Sequence, residues 1–159
     1  GTVDMDAELF SGTAQVSWKK VEDTGDTRQY APSGTMTLDI RIEDCNPARR
    51  TVPIDDGYAT TGLGPFMQVY TEANVAFPRT HYFSLRGKGT VMLDCGEPRE
   101  AVEVPANIFM VTGMCTTPAF HPYLNEEELQ GSYGCPEFEI DNVSWHFRAQ
   151  QPQGNVARP

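Results

Sequence analysis

Apolar and polar residues alternate with period two along much of the chain, the pattern of strands that bury one face and wet the other. In TAQVSWKK, residues 13–20, Ala14, Val16 and Trp18 stand against Thr13, Gln15, Ser17 and Lys19. In TMTLDIRIE, residues 35–43, Met36, Leu38, Ile40 and Ile42 share one face while Thr35, Thr37, Asp39, Arg41 and Glu43 share the other. Residues 66–77 continue the rule through Met67, Val69, Thr71, Ala73, Val75 and Phe77. Segments 79–86 and 89–95 set His81, Phe83 and Leu85 and then Val91, Leu93 and Cys95 on inner faces. The Gly87-Lys88 step between them predicts a tight hairpin. Shorter strands are predicted over 101–104 and 107–112, separated by Pro105, which marks an edge or a bulge. In residues 138–147 the inward row runs Phe138, Ile140 and then Val143, Trp145 and Phe147, a parity slip that predicts a bulge at Asp141-Asn142.

Two stretches break the alternation as loops, residues 22–34 and 55–65, both rich in Gly, Asp and Thr. A single short helix is predicted near residues 123–130. Pro122 leads in, Asn125 can cap, Glu126, Glu127 and Glu128 sit near the positive end, and Gly131 stops it. About eight short strands with so little helix define an all-β protein, expected as an antiparallel two-sheet β-sandwich of jelly-roll or immunoglobulin-like type, with a small β-barrel as the alternative. One domain is expected over residues 1–150, followed by a polar tail at 151–159.

Composition refines this picture. A chain of 159 residues is the size of one domain, and its 14 glycines and 12 prolines supply the turns that many short strands require. Net charge is −10, which disfavours nucleic acid and anionic membranes as partners. No apolar run reaches the roughly 18 residues of a membrane-spanning helix. Four cysteines at 45, 95, 115 and 135 contain no Cys-x-x-Cys pair, so zinc-ribbon and thioredoxin-type chemistry is unsupported. Their even number and wide spacing predict two disulfides and hence an oxidising compartment, with the protein secreted, periplasmic or at the cell surface. The phrases GTMTLDIRIEDC and GTVMLDC are two strands that each lead to a cysteine, which favours pairing Cys45 with Cys95 and leaves Cys115 with Cys135.

Candidate chemistry is sparse. Among the histidines, His81 shares the apolar row of its strand and His146 the polar row, while His121 sits in AFHPYLNEEE, a segment crowded with acceptors. A secreted hydrolase using His121 with Glu126–Glu128 is therefore one expectation. No Gly-x-Ser-x-Gly elbow accompanies it. Asp23, Asp26, Asp55 and Asp56 form short oxygen-rich loops that are weak calcium candidates, short of a full ligand pattern. No cofactor is called for. Aromatics outside the core rows, Tyr30, Tyr58, Tyr70, Phe120, Tyr123 and Tyr133, offer ring faces of the kind that stack on carbohydrate. Phe120, His121, Tyr123 and Tyr133 share the stretch between the last two cysteines, either as a plug over one end of the fold or as a ligand-binding surface. The leading expectation is thus an exported, non-catalytic module that binds a carbohydrate or protein ligand or builds extracellular structure. A subunit that self-assembles through a strand edge is a further alternative.

Overall fold

The computed structural model describes residues 1–57, 65–71, 79–96, 100–105, 110–111, 121–136 and 139–150. Its strands are β1 (Thr2–Ala7), β2 (Phe10–Asp23), β3 (Thr27–Ile40), β4 (Cys45–Asn46), β5 (Ala48–Pro53), β6 (Phe66–Tyr70), β7 (Thr80–Leu85), β8 (Thr90–Cys95), β9 (Glu100–Pro105), β10 (Met110–Val111), β11 (His121–Pro122), β12 (Glu128–Cys135) and β13 (Ile140–Arg148). The fold is all-β and antiparallel. Ten strands form one strongly curved sheet in the order β10-β7-β6-β3-β2-β1-β13-β12, with β5 added to β3 and β11 to β7, so that the sheet nearly closes into a barrel. A second, small sheet runs β4-β8-β9.

Period two explains the core. Met36, Leu38 and Ile40 on β3, Ala14 and Val16 on β2, Met67 and Val69 on β6, and Val143, Trp145 and Phe147 on β13 are all buried as their parity requires. β1, whose Val3, Met5 and Ala7 are equally buried, extends the same rule to the first residues. β7 is buried on both faces, with His81, Phe83 and Leu85 fully enclosed and Thr80 and Ser84 nearly so. The predicted bulge is present: Asp6 faces Asn142 and Ala7 faces Ile140, which leaves Asp141 as the extra residue.

Strand β3 is the branch point of the sheet. It pairs with β2 along its length, with β6 through Thr27–Tyr30, and with β5 through Thr35–Ile40. Between those two partners lies Ala31-Pro32-Ser33-Gly34. Proline lacks a backbone donor, and here that side of the strand has no ladder to satisfy. Gly34 adopts φ +136°, and a Cβ there would lie 2.0 Å from the Gln15 carbonyl oxygen. Only glycine fits this bend.

Three expectations are corrected. Residues 123–130 are not helical: after β11 the chain turns through Asn125, whose side chain accepts from the Glu127 N–H at 3.0 Å, and enters β12 at Glu128. Eight residues are too few to stabilise a helix alone, and β12 instead satisfies its backbone along β13. Residues 22–34 are mostly strand, the loop shrinking to a turn at Thr24–Asp26 in which the Thr24 N–H donates to the Thr27 carbonyl at 3.0 Å. Residues 79–95 are no hairpin: β7 belongs to the large sheet and β8 to the small one, with the Ile54–Gly87 bridge at the crossing. The turn signal at Gly87-Lys88 is overridden by pairing with the strands on either side, β6 for β7 and β9 for β8.

Cys45 and Cys95 lie directly opposite each other across β4 and β8 and form a disulfide. Cys115 and the tail at 151–159 lie outside the described residues, as does the side chain of Cys135, so the second pairing falls there too. A bridge spanning 50 residues restricts the unfolded chain by about 4 kcal/mol. The Cys45→Ser, Cys95→Ser double variant is expected to lose stability of that order in urea denaturation. Gly131 faces Trp145 across β12–β13, and a Cβ there would lie 2.4 Å from the indole ring. Because that ring is fixed in the core, Gly131→Ala is expected to cost about 1–3 kcal/mol by the same measurement.

Candidate functional site

The expected site residues fall in two groups. Phe120 and Tyr58 lie outside the described residues. His121, Tyr123 and Tyr133 are gathered around Trp145 and His81, beside the gap between β11 and β12. The His121 ring stands edge-on to Trp145 with centroids 4.5 Å apart and lies 6.0 Å from Tyr133. Tyr123 is buried, 6.2 Å from the His81 ring, and its hydroxyl donates to the Tyr70 carbonyl at 2.7 Å. Burial pushes the Tyr133 hydroxyl up to about 12. As placed, these rings pack on one another and on Trp145, with Tyr123 offering almost no face to solvent.

At the centre of the group the Trp145 Nε1–H donates to His81 Nε2 at 2.8 Å. That fixes the neutral tautomer of His81, with its proton on Nδ1, which is buried and lacks an aligned acceptor. Desolvation pulls the imidazole from 6.5 down to about 4; the neighbouring His121 charge adds to the fall and the His121 backbone, opposite on β11, resists it. The His121 imidazole is itself lowered by burial.

Most of the remaining candidate carboxylates are engaged elsewhere. Glu126 pairs with Arg28. Glu128 accepts from His146 Nε2 at 2.6 Å and from Arg148 Nε at 3.2 Å, and these two bonds hold its carboxyl below the usual range. Asp23 accepts from Lys20 at 2.7 Å and from the Gly25 N–H at 3.1 Å. The Asp26 carbonyl accepts from the Thr71 N–H at 2.9 Å. Asp55 accepts from the Gly57 N–H at 3.0 Å, and Asp56 lies 3.4 Å from Lys88. Among the described residues no three His, Cys, Asp or Glu side chains converge as a metal cage.

A different site emerges at one end of the barrel interior. There a cavity of about 350 Å³ is lined by Val16 and Trp18 of β2, Arg28 and Tyr30 of β3, Met67 and Val69 of β6, Leu129 of β12 and Phe147 of β13, with Lys20, Glu126, Glu127 and Arg148 at its mouth. The inward rows explain it. On β2 the row runs Ala14, Val16, Trp18 and then Lys20; on β3, read from the core outward, Pro32, Tyr30 and then Arg28. Each begins apolar and ends in a cation where the interior meets water, so long side chains bury their stems and expose their heads. Trp18 is held edge-on by Phe83 at 6.0 Å and Phe147 at 5.5 Å, and its indole N–H is buried without an acceptor. Tyr30 is half-buried, and burial raises its hydroxyl above the ordinary tyrosine range. Sequence reasoning named Tyr30 only as a ring face outside the core and passed over Arg28, because both fall in the stretch expected to be loop. The available signal was Arg28 and Lys20 standing in inward rows.

A second concavity, of about 260 Å³, lies on the outer face among Asp4, Asp6, Thr13, Asp39 and Arg49. Asp4 accepts from Thr13 at 2.8 Å and Asp39 faces Arg49 at 3.7 Å, so its carboxylates already have partners. Comparison with known families, with curated proteins and with solved structures returns no match for this chain.

The neutral His81 yields a prediction with a definite sign. The unfolded histidine takes up a proton near 6.5 and the folded one only near 4, so stability present above pH 6.5 is lost as pH falls to 4, by about 3 kcal/mol. His81→Gln keeps an acceptor for Trp145 without titrating. Its urea midpoint between pH 7 and 4 is expected to fall less steeply than the wild type's; parallel curves would show that the buried imidazole does not carry this linkage.

Proposed function

We propose that this chain is a non-catalytic binding module of an oxidising, extracellular-type compartment, and that the cavity at the end of its barrel is the ligand site. The observation that carries the reading is a concavity of about 350 Å³ whose inner wall is formed by the core side chains Val16, Met67, Val69, Leu129 and Phe147. Barrel mouths of this size, apolar within and polar at the rim, are where small ligands are bound. At interior packing density the space accommodates roughly 260 Å³ of ligand atoms, the volume of a small apolar or amphiphilic molecule. Support for the compartment comes from the Cys45–Cys95 disulfide. The hydrolase alternative draws no support from the placement of His121, whose ring neighbours are aromatic, or of Glu126 and Glu128, which are engaged by Arg28, His146 and Arg148.

The neutral fluorophore N-phenyl-1-naphthylamine is expected to brighten on titration with the protein. Val69→Trp, which fills the floor of the cavity, should weaken that binding at least about tenfold, a loss of about 1.4 kcal/mol. Wild-type protein that leaves the dye dark, or unchanged binding in a Val69→Trp variant with the wild-type circular dichroism spectrum, overturns this reading.

A further inference from the structure

The described residues contain five buried side-chain polar atoms without a hydrogen-bond partner: Trp18 Nε1, Arg28 Nε, Thr80 Oγ1, His81 Nδ1 and Ser84 Oγ. Trp18 and Arg28 line the barrel-mouth cavity, and both of their orphan atoms are N–H donors. A buried donor left unpaired costs about 1–3 kcal/mol, which a group that brings an acceptor restores. The wall of this cavity therefore asks for acceptors.

Charge narrows the choice. The chain as a whole carries −10, yet the cavity lining holds three basic side chains, Lys20, Arg28 and Arg148, against two acidic ones, Glu126 and Glu127. Each of these cations also meets a carboxylate: Lys20 and Arg28 meet Asp23, Arg28 also meets Glu126, and Arg148 meets Glu128. Arg28 is the centre of this network. One guanidinium nitrogen, Nη1, is engaged by Glu126, and Nε lies 3.3 Å from Asp23 Oδ2 without being aligned to donate to it. The two carboxylates hold the guanidinium in place at the edge of the cavity, with its Nε–H left without a hydrogen-bond partner. A planar fork of this kind matches an incoming carboxylate, and hydrogen bonds between two charged partners are about twice as strong as neutral ones.

We infer that the occupant of the cavity is an amphiphilic monocarboxylate, with its carboxylate at the mouth against Arg28 and its apolar body lying inward against Val16, Met67, Val69, Leu129 and Phe147. This rests on the cavity being the ligand site. A hydrocarbon body of about ten carbons replaces water along the apolar wall, and the head stays at the wet end, where its charge remains partly solvated. Glu126 then acts as a competitor: it neutralises the same guanidinium and limits the affinity for an anion.

Displacement of N-phenyl-1-naphthylamine by decanoate, decanol and decylammonium tests the inference at pH 7.5. Decanoate is expected to compete about tenfold more tightly than decanol, with decylammonium weakest. Arg28→Gln should remove the preference for decanoate over decanol, whereas Glu126→Gln should strengthen decanoate several-fold relative to decanol. Arg49→Gln, on the outer face, should alter none of these. Dye binding with equal displacement by decanoate and decanol, or a decanoate preference that survives Arg28→Gln, overturns the inference while the cavity remains a ligand site. Decylammonium binding most tightly does the same and reverses the sign of the ligand. Failure of the dye itself to bind removes the site and the inference together.

Discussion

A sheet that curls until its two ends approach must fill its own inside, and in this protein four aromatic rings meet that demand. Phe83 on β7 stands edge-on to Trp145 at 5.3 Å, to Phe147 at 5.2 Å and to Trp18 at 6.0 Å. These rings come from β2, β7 and β13, strands that lie on different sides of the barrel, so their contacts tie together walls that share no ladder. Much else follows from this cluster. Gly131 is small because Trp145 occupies the space beside it. His81 is neutral because it is enclosed next to that indole and accepts its N–H. The cavity begins where the rings stop, at Trp18 and Phe147.

The branch at β3 sets the shape around the cluster. One strand serving β6 at its start and β5 at its end lets the sheet divide, and the Pro32-Gly34 bend lies at the division. The start of β3 then runs on with β6 to form the wall of the open end, while the other end of the barrel packs against the small sheet that the Cys45–Cys95 bridge holds together. Function, on the reading proposed above, belongs to the end of the molecule that is left incompletely filled.

Legibility in the sequence followed the range of the interaction involved. Strand faces were readable from single segments, since parity places His81, Phe83 and Leu85 or Val143, Trp145 and Phe147 inward whatever the partner, and the Asp141 bulge announced itself as a slip in that parity. The Cys45–Cys95 pair was readable because each cysteine follows a strand of the same type. Misreadings arose where a signal within one segment was weaker than the pairing of that segment with another strand. Asn125 and the three glutamates satisfy the grammar of a helix start, yet the backbone after Glu127 finds a full ladder on β13. Gly87-Lys88 resembles a hairpin turn, but β7 and β8 are drawn into different sheets. The cavity was hidden for the same reason: its wall is assembled from β2, β3, β6, β12 and β13, and no window of the sequence contains more than two of them.

The two ladders of β1 differ greatly in the span of chain they close. Toward β2 it pairs residues 2–6 with residues 11–15, a local hairpin; toward β13 it pairs residues 2–7 with residues 140–146, across nearly the whole length. Local ladders form early because they close short loops, and distant ones wait. During synthesis the β1–β2–β3 meander is therefore in place while the far edge of β1 still presents unpaired backbone groups, until residues 140–148 arrive to cover it. That open edge is the template on which a second nascent chain would add a strand, and the speed with which β13 reaches it sets how much of the protein escapes aggregation at birth.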